Sequence, residues 1–136
     1  MRAVLDTNLF LSALLSGEGA PARVVDAWRA GRFELVTSGE QIDELKRAAQ
    51  YEKIRVYASR PAVGRLVTSL RSAQILLTRL PRSGASPDPG DDFLLAMCVA
   101  AEAHYLVTGD NALLSLGQVA RTRIVTPRRF AAILAG

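Results

Sequence analysis

The amino-acid sequence predicts an α/β protein in which a central, mostly parallel sheet is covered by helices on both faces. Strand and helix patterns alternate along the chain, and the strand segments are nearly continuous apolar runs, as is typical of strands buried on both sides. A length of 136 residues with 49% hydrophobic residues suits one globular domain, so a single domain is predicted over residues 1–136. We therefore expect a three-layer αβα sandwich around a five-stranded sheet.

The first half of the chain is divided by recognisable helix starts and stops. Pro21 suits the first turn of a helix because its φ angle is already near the helical value, and Gly31 marks the end of that helix. Ser38 is a good N-cap, and Gln41 three residues later completes a capping-box pattern. The segments predicted in this half are a strand at 2–5, a helix at 7–15, a helix from 21 to the stop at 31, a strand at 33–36 and a helix that begins after 38.

The second half continues the alternation, with one long break. Apolar residues at helical spacing predict a short helix at 51–57 and a longer one from 60 to about 72. Three prolines, a glycine and two serines make 80–89 a predicted loop. The next helix, from 91 or 92 to 103, is apolar almost all round and is expected in the core. The remaining predicted segments are strands at 74–78, 105–107 and 124–125, a turn at 108–111 and a final helix at 127–134, which Thr126 is expected to cap.

Composition excludes several classes of protein. Cys98 is the only cysteine and His104 the only histidine, which excludes an intrachain disulfide, a cysteine zinc cluster and a site that needs two histidines. No apolar run reaches 18 residues, so no membrane span is predicted, and Asp6 interrupts any signal-peptide core. We therefore expect a soluble, cytoplasmic protein. An aromatic content of only 6% weighs against a platform for stacking single-stranded bases.

Charge is strongly segregated along the chain. Residues 1–45 carry a net charge of −3 and residues 83–120 one of −5, whereas residues 46–82 carry +8 and residues 121–136 carry +4. This pattern predicts an acidic site near a basic surface. The alternative is that the charges decorate solvated faces of helices, because blocks of like charge are common within folded domains.

Four acidic residues fall where parallel strands would deliver them to one edge of the sheet. Asp6 ends the first predicted strand, Asp110 follows the fourth, and Asp92 starts the helix after the loop from the third. Glu44 lies one to two turns into the helix after the second strand. Ligands of open parallel sheets bind outside the carboxyl ends of the strands, so these carboxylates are expected to converge there. Each acid alone also fits a turn, a helix cap or a solvated helix face, and only their joint position favours a site.

Such a cluster of carboxylates predicts a bound cation. Converging carboxylates repel one another and cannot all stay ionised in a desolvated pocket unless a positive charge neutralises them. Oxygen ligands without suitable nitrogen or sulfur ligands favour Mg²⁺ or Mn²⁺ over zinc.

Several short motifs resemble those of PIN-domain proteins, in the order and with the spacing of that family. The segments that carry the resemblance are Val4–Asn8, Ser38 with Glu44–Leu45, Asp88–Ala96, Leu106–Leu114, and Ile124–Pro127 with Phe130. Each motif alone is weak, but five in order cover essentially the whole chain and are together fairly specific.

The resemblance implies a metal-dependent ribonuclease with the three-layer αβα fold of PIN domains. The family's acidic residues, which are both its catalytic residues and its metal ligands, match Asp6, Glu44, Asp92 and Asp110. Supporting polar residues match Thr7, Asn8, Ser38, Asp91 and Thr108. Asp92 is preferred to Asp91 as the third acid because Asp92 directly precedes the run Phe93–Ala96.

Within the family, the chain looks most like the small single-domain toxins of type II toxin–antitoxin pairs, related to VapC. This likeness implies an RNA substrate, a small antitoxin protein as partner and a homodimer. The arginine-rich segment 46–82 would then track the RNA backbone, since guanidinium groups bind phosphate in bidentate fashion. The arginines predicted to bind RNA are Arg47, Arg55, Arg60, Arg65, Arg79 and Arg82.

Two other functions remain open from the sequence. A different Mg²⁺-dependent α/β phosphohydrolase or phosphoacceptor needs a nucleophilic aspartate at a strand end, and Asp6 qualifies. However, the phosphatase pattern has a second aspartate where Asn8 stands, and a receiver-like site needs a lysine near the last strand, whereas residues 83–136 contain none. The other alternative is a non-catalytic PIN-like binding module, which a cleavage assay would separate from an enzyme.

Overall fold

A computed structural model describes residues 1–78, 80 and 92–136, with only the backbone described for Asp92. The strands are β1 (Arg2–Leu5), β2 (Glu34–Ser38), β3 (Ile75–Leu77), β4 (Tyr105–Val107), β5 (Gln118–Val119) and β6 (Thr122–Val125). They form one six-stranded sheet in the order β3-β2-β1-β4-β6-β5. Neighbouring strands are parallel, except that β5 and β6 form an antiparallel pair at one edge.

Helices connect and cover these strands. The helices of the described residues are α1 (Thr7–Leu15), α2 (Ala20–Arg29), α3 (Gly39–Ala48), α4 (Glu52–Arg55), α5 (Arg60–Arg71), α6 (Asp92–Ala100), α7 (Asn111–Leu116) and α8 (Pro127–Ala135). Side-chain caps begin several of them, as the sequence predicted. Ser38 Oγ accepts a hydrogen bond from Gln41 N at 3.2 Å, and Thr126 Oγ1 accepts one from Arg129 N at 3.1 Å.

Two apolar cores lie on opposite faces of the sheet and confirm the three-layer αβα arrangement. Ala3 and Leu5 of β1 belong to one core, whereas Val4 between them belongs to the other. The first core packs against α1, α2, α3, α5 and α8, and the second packs against α6 and α7. Successive residues Ala3, Val4 and Leu5 of β1 are all apolar and buried, because both faces of this central strand are covered.

The predicted number of strands was wrong, because the sheet has six strands and not five. The additional strand, β5, is only two residues long and pairs with β6 across a tight connection in which Ala120 has a φ of +49°. A segment this short has no alternation to detect, and β6 begins at Thr122 although its first residues are polar. The predicted turn at 108–111 also continues into α7, which Asp110 caps.

Other boundaries differ from the predictions by a few residues. The buried helix α6 ends at Ala100 and not at 103, because Glu102 adopts a left-handed φ of +50° and Ala103 N donates back to Cys98 O at 3.0 Å. The short helix α4 occupies 52–55 of the predicted 51–57. The predicted loop lies outside the described residues except for Leu80, as do Arg79 and Asp91.

The strand order places a crevice at the carboxyl ends of β1 and β4. From β1 the chain continues to β2 and β3 on one side, whereas β4 and β6 lie on the other side of β1. Connections therefore leave these two neighbouring strands in opposite directions, and the crevice between them is where open α/β sheets bind ligands. Among the described residues, no helix has the length and hydropathy needed to cross a membrane.

Candidate active site

Asp6 lies at the bottom of this crevice, directly after β1. Its side chain is only 7% exposed, and each carboxylate oxygen accepts a hydrogen bond. Oδ1 accepts from Asn8 N at 3.2 Å and thereby caps α1, while Oδ2 accepts from the hydroxyl of Thr108 at 2.7 Å. The cap explains why a polar residue can end a buried strand. The second bond fixes the orientation of the carboxylate relative to β4.

Thr108 joins Asp6 to the connection that carries Asp110. Its fully buried hydroxyl donates to Asp6 Oδ2 and accepts a hydrogen bond from Asp110 N at 3.0 Å. Asp110 Oδ1 in turn accepts from Ala112 N at 2.7 Å and Leu113 N at 3.3 Å at the start of α7. No described residue donates to Asp110 Oδ2. One hydroxyl group therefore sets the spacing of two predicted catalytic acids that are 104 positions apart in the sequence.

Glu44 approaches Asp6 from the side of α3. Burial raises the pKa of Glu44 above its ordinary value, and the negative charge of Asp6 raises it further. The neighbouring Thr7 hydroxyl and the Arg47 guanidinium act in the opposite direction. The effect of Asp6 on Glu44 is that expected of a carboxylate placed near another in a partly desolvated space.

The chemistry of these groups fits a divalent cation. Thr7 Oγ1 is buried and, although it lies near the Glu44 carboxylate, it has no hydrogen-bond partner of ordinary geometry among the described residues. An unpartnered buried oxygen beside two carboxylates is a position where an additional positive group would be stabilised. All of the available ligands are oxygens, which suit Mg²⁺ or Mn²⁺.

The described side chains show only part of the predicted convergence of four acids. No three carboxylate, imidazole or thiol groups among them lie close enough together to hold one ion. Asp6 and Asp110 share a cleft of about 380 Å³, whereas Glu44 lies outside its lining and interacts with Asp6 beside Thr7. The residues that give the cleft its polar and turn-forming lining are Asp6, Asn8, Ser12, Gly109, Asp110 and Pro127. Asp92 begins α6, but its side chain lies outside the described residues, so its place in the cluster stays a prediction.

Gln41 is a residue of this region whose contacts the sequence did not reveal. It was interpreted as half of a capping box with Ser38, but its side chain is fully buried and makes different bonds. Nε2 donates to Leu5 O at 2.6 Å, and Oε1 accepts from Thr37 Oγ1 at 2.6 Å. Gln41 therefore anchors the peptide group that precedes Asp6. The available signal was its helical spacing to the inward-facing Leu45, four residues later.

The remaining predicted site residues are distributed over several parts of the molecule. Ser38 caps α3 and donates to Met97 Sδ at 3.3 Å, so its side chain bonds to α3 and to α6. Arg47 is close enough to Glu44 to lower its pKa, whereas Arg65 is exposed on α5. Arg55 and Arg60 line a separate groove. Arg82 lies outside the described residues, as do Arg79 and Asp91.

Comparison with known proteins assigns the family. Residues 2–112 match the PIN domain. The chain belongs to the PIN-domain family. PIN domains are generally nucleases that hydrolyse phosphodiester bonds, and they typically use divalent metal ions. This PIN domain is also similar to the uncharacterized protein MJ1680 of Methanocaldococcus jannaschii, with 24% identity over 117 residues that cover 85% of this chain and 75% of the relative.

Proposed function

We propose that the protein is a Mg²⁺- or Mn²⁺-dependent endoribonuclease. The observation that carries this proposal is the buried Asp6 carboxylate at the crevice between β1 and β4, tied by Thr108 to Asp110 and crowded by Glu44. Carboxylates held in this arrangement repel one another and destabilise the fold unless a cation is bound. A non-catalytic module has no need for such an arrangement.

Each residue of the cleft has a separate part in the proposed reaction. Asp6, Glu44, Asp110 and Asp92 would hold the cation, which supplies positive charge to the scissile phosphate and lowers the pKa of water. Thr108 keeps the Asp6 carboxylate in one orientation, and Gln41 keeps its backbone in place. Water adds to phosphorus and the bond to the 3′ oxygen breaks. The products therefore carry a 5′-phosphate and a 3′-hydroxyl.

A cleavage assay on labelled RNA tests the proposal. Wild-type protein should cut RNA with added Mg²⁺ or Mn²⁺ and should stop when a chelator is present in excess. The end groups of the products should be a 5′-phosphate, which ligase accepts, and a 3′-hydroxyl, which polymerase extends. Equal cleavage in excess chelator would remove the metal from the mechanism.

We further propose that this nuclease is the toxin of a type II toxin–antitoxin pair and acts in the cytoplasm. The supporting feature is the set of motifs that resemble the VapC-related branch. Induced expression should arrest growth, whereas expression of Asp6→Asn should not. A short neighbouring reading frame for a small DNA-binding protein should restore growth when co-expressed. Growth arrest by Asp6→Asn equal to wild type would contradict a toxin that acts by cleavage.

We also propose a homodimer, as the same resemblance implies. Light scattering on the purified protein measures this directly. A mass near twice the chain mass of 14.6 kDa is expected, and a monomer at all concentrations would contradict the proposal.

A further inference from the structure

A groove with a volume of about 940 Å³ runs along the hairpin of α3, α4 and α5, apart from the cleft at Asp6. We call it the basic groove. Its charged lining residues are Lys46, Arg55, Arg60 and Arg71, and its floor includes Ala49 and Val63. It shares no lining residue with the cleft.

The lining of the basic groove carries positive charge and no acidic residue. Its lining contains four cations from three helices and no carboxylate. All four cationic side chains are exposed, so they keep their conformational freedom and can follow an extended ligand. Cations held around one concavity repel one another and raise the local positive potential, which favours a polyanion. Of the arginines predicted to bind RNA, Arg55 and Arg60 lie here, while Lys46 and Arg71 complete the set.

Two exposed tyrosines are adjacent in sequence to lining residues of the same groove, although neither belongs to the lining itself. Tyr51 is 64% exposed and follows the lining residue Gln50, and Tyr57 is 72% exposed and precedes the lining residue Ala58. Every other aromatic side chain of the chain is buried or half-buried. Exposed rings near cations can hold unpaired bases by stacking while the cations hold the phosphates. The sequence did not predict this feature, because the overall aromatic content is low. Only the structure shows that two of the few aromatic rings are exposed in the same region.

The basic groove also approaches the edge of the sheet that carries the acids. Arg71 lines both the groove and a smaller cavity bounded by Gly39 and Asp43. Gly39 follows Ser38 at the carboxyl end of β2, the strand beside β1. Arg71 therefore links the groove to a cavity at the carboxyl end of β2.

We propose that the basic groove binds a single-stranded stretch of RNA outside the cleavage site, with phosphates on Lys46, Arg55, Arg60 and Arg71 and bases stacked on Tyr51 and Tyr57. This assignment rests on the proposed ribonuclease function and extends it with a second contact surface for the substrate, on α3, α4 and α5. Duplex RNA does not fit this mode of binding, because its bases are already stacked on one another and cannot reach the tyrosine rings.

Fluorescence anisotropy with a short unstructured RNA tests the groove, using the full chain in chelator so that metal-dependent cleavage is stopped. Arg60→Gln and Arg71→Gln should weaken binding. Each should also lower the slope of log K against log salt by about 0.7 per lost phosphate contact. Arg23→Gln is the matched control, because it removes the same charge from an exposed position on α2 outside the lining, and its binding should equal that of wild type.

The tyrosines are tested in the same assay. Tyr57→Ala should weaken binding by about fivefold or more, because a stacked base is lost. Tyr57→Phe keeps the ring and should bind as wild type does. Duplex RNA of the same sequence should bind more weakly than the single strand and should be insensitive to Tyr57→Ala.

The outcomes separate the groove from the nuclease proposal. If the wild type cleaves RNA while Arg60→Gln and Arg71→Gln bind like Arg23→Gln, the groove assignment is wrong and the nuclease stands. If no RNA is cleaved under any condition but the groove variants lose binding, the groove stands and the nuclease fails. Displacement of the RNA by polyglutamate at equal charge concentration would reassign the groove to an acidic peptide and overturn the proposal.

Discussion

The charged groups of the acidic cleft are buried and fixed in position, whereas those of the basic groove are exposed and free to move. In the cleft, Asp6 is nearly buried, and its two carboxylate oxygens are fixed by Asn8 N and the Thr108 hydroxyl. In the groove, four cations are exposed on helix surfaces. A charged group that is desolvated and fixed in position contributes far more electrostatic interaction energy than one that is solvated and mobile.

This difference separates two tasks. Chemistry on a phosphodiester requires ligands that do not move, so the cleft residues stand at strand ends and helix caps, which the sheet holds rigid. Binding a variable chain requires cations that can adjust, and long side chains on a helical hairpin provide them. Substitutions in the cleft should therefore change turnover by large factors, whereas single substitutions in the groove should change affinity by small ones.

The largest effect is expected from Asp6→Asn, which removes a metal-ligand charge at constant volume. Turnover should fall more than about 100-fold, since loss of an outer-shell partner of a metal alone costs 10–100-fold. RNA affinity in chelator should be unchanged, and Asp26→Asn, on an exposed face of α2, should retain activity. Steady-state kinetics on labelled RNA measures this. A fall in RNA affinity with unchanged turnover would show that Asp6 acts in binding and not in catalysis, which would contradict the separate tasks of cleft and groove.

A smaller loss is expected from Thr108→Val, which keeps the shape of the side chain but removes the hydroxyl that orients Asp6. Activity or metal affinity should fall about 10–100-fold. Thr108→Ser keeps the hydroxyl and should retain most of the activity. Metal titrations of both variants provide the measurement. Equal activity of the valine and serine variants would show that the bond from Thr108 to Asp6 has no part in the site.

Gln41→Leu should lower stability by leaving two buried groups without partners. The Leu5 carbonyl and the Thr37 hydroxyl each lose a hydrogen bond, at a cost of about 1–3 kcal/mol per orphaned group. The double variant Gln41→Leu with Thr37→Val removes one orphan and should recover part of the loss. Urea unfolding gives the free energies. If the double variant is less stable than the single variant by the full cost of Thr37→Val alone, the two side chains are not coupled.

The smallest effect is expected from Glu44→Gln, and it depends on pH. Because burial and Asp6 raise the pKa of Glu44, the folded state favours the protonated carboxyl. The stability that this group contributes without metal is present below its ordinary pKa and is lost as pH rises through the raised value. Glu44→Gln stays neutral, so at neutral pH without metal it should be at least as stable as wild type, and the difference should vanish in acid.

Adding metal should reverse the order of stability of wild type and Glu44→Gln. Wild type should gain about 2.7 kcal/mol at a metal concentration 100 times its dissociation constant, and Glu44→Gln should gain less at the same concentration. Asp43→Asn, an exposed neighbour on α3, should follow wild type. Thermal melts with and without Mg²⁺ measure both parts. Wild type indifferent to the metal, with Glu44→Gln less stable than wild type at neutral pH, would make Glu44 a structural residue.

Much of the fold followed from local patterns in the sequence. Apolar runs located β1, β2 and β4, and Ser38, Pro21 and Thr126 marked helix starts, because these signals depend on a few adjacent residues. The sequence did not predict β5, whose two residues derive their strand conformation from pairing with β6. It also placed the end of α6 too late, because the left-handed conformation of Glu102 depends on how the chain returns to the sheet.

The sequence by itself determined that acids stand after successive strands and that arginines cluster in 46–82. Only the tertiary structure decided how these groups combine. It brought Thr108 to Asp6 across 102 positions, turned Gln41 from a helix cap into an anchor for Leu5, and gathered Lys46 and Arg71 with two exposed tyrosines. The physical reason is that residue type and spacing fix local conformation and the face of an element. Hydrogen bonds and charge interactions between distant residues depend on the order of strands and the packing of helices, which no short segment contains.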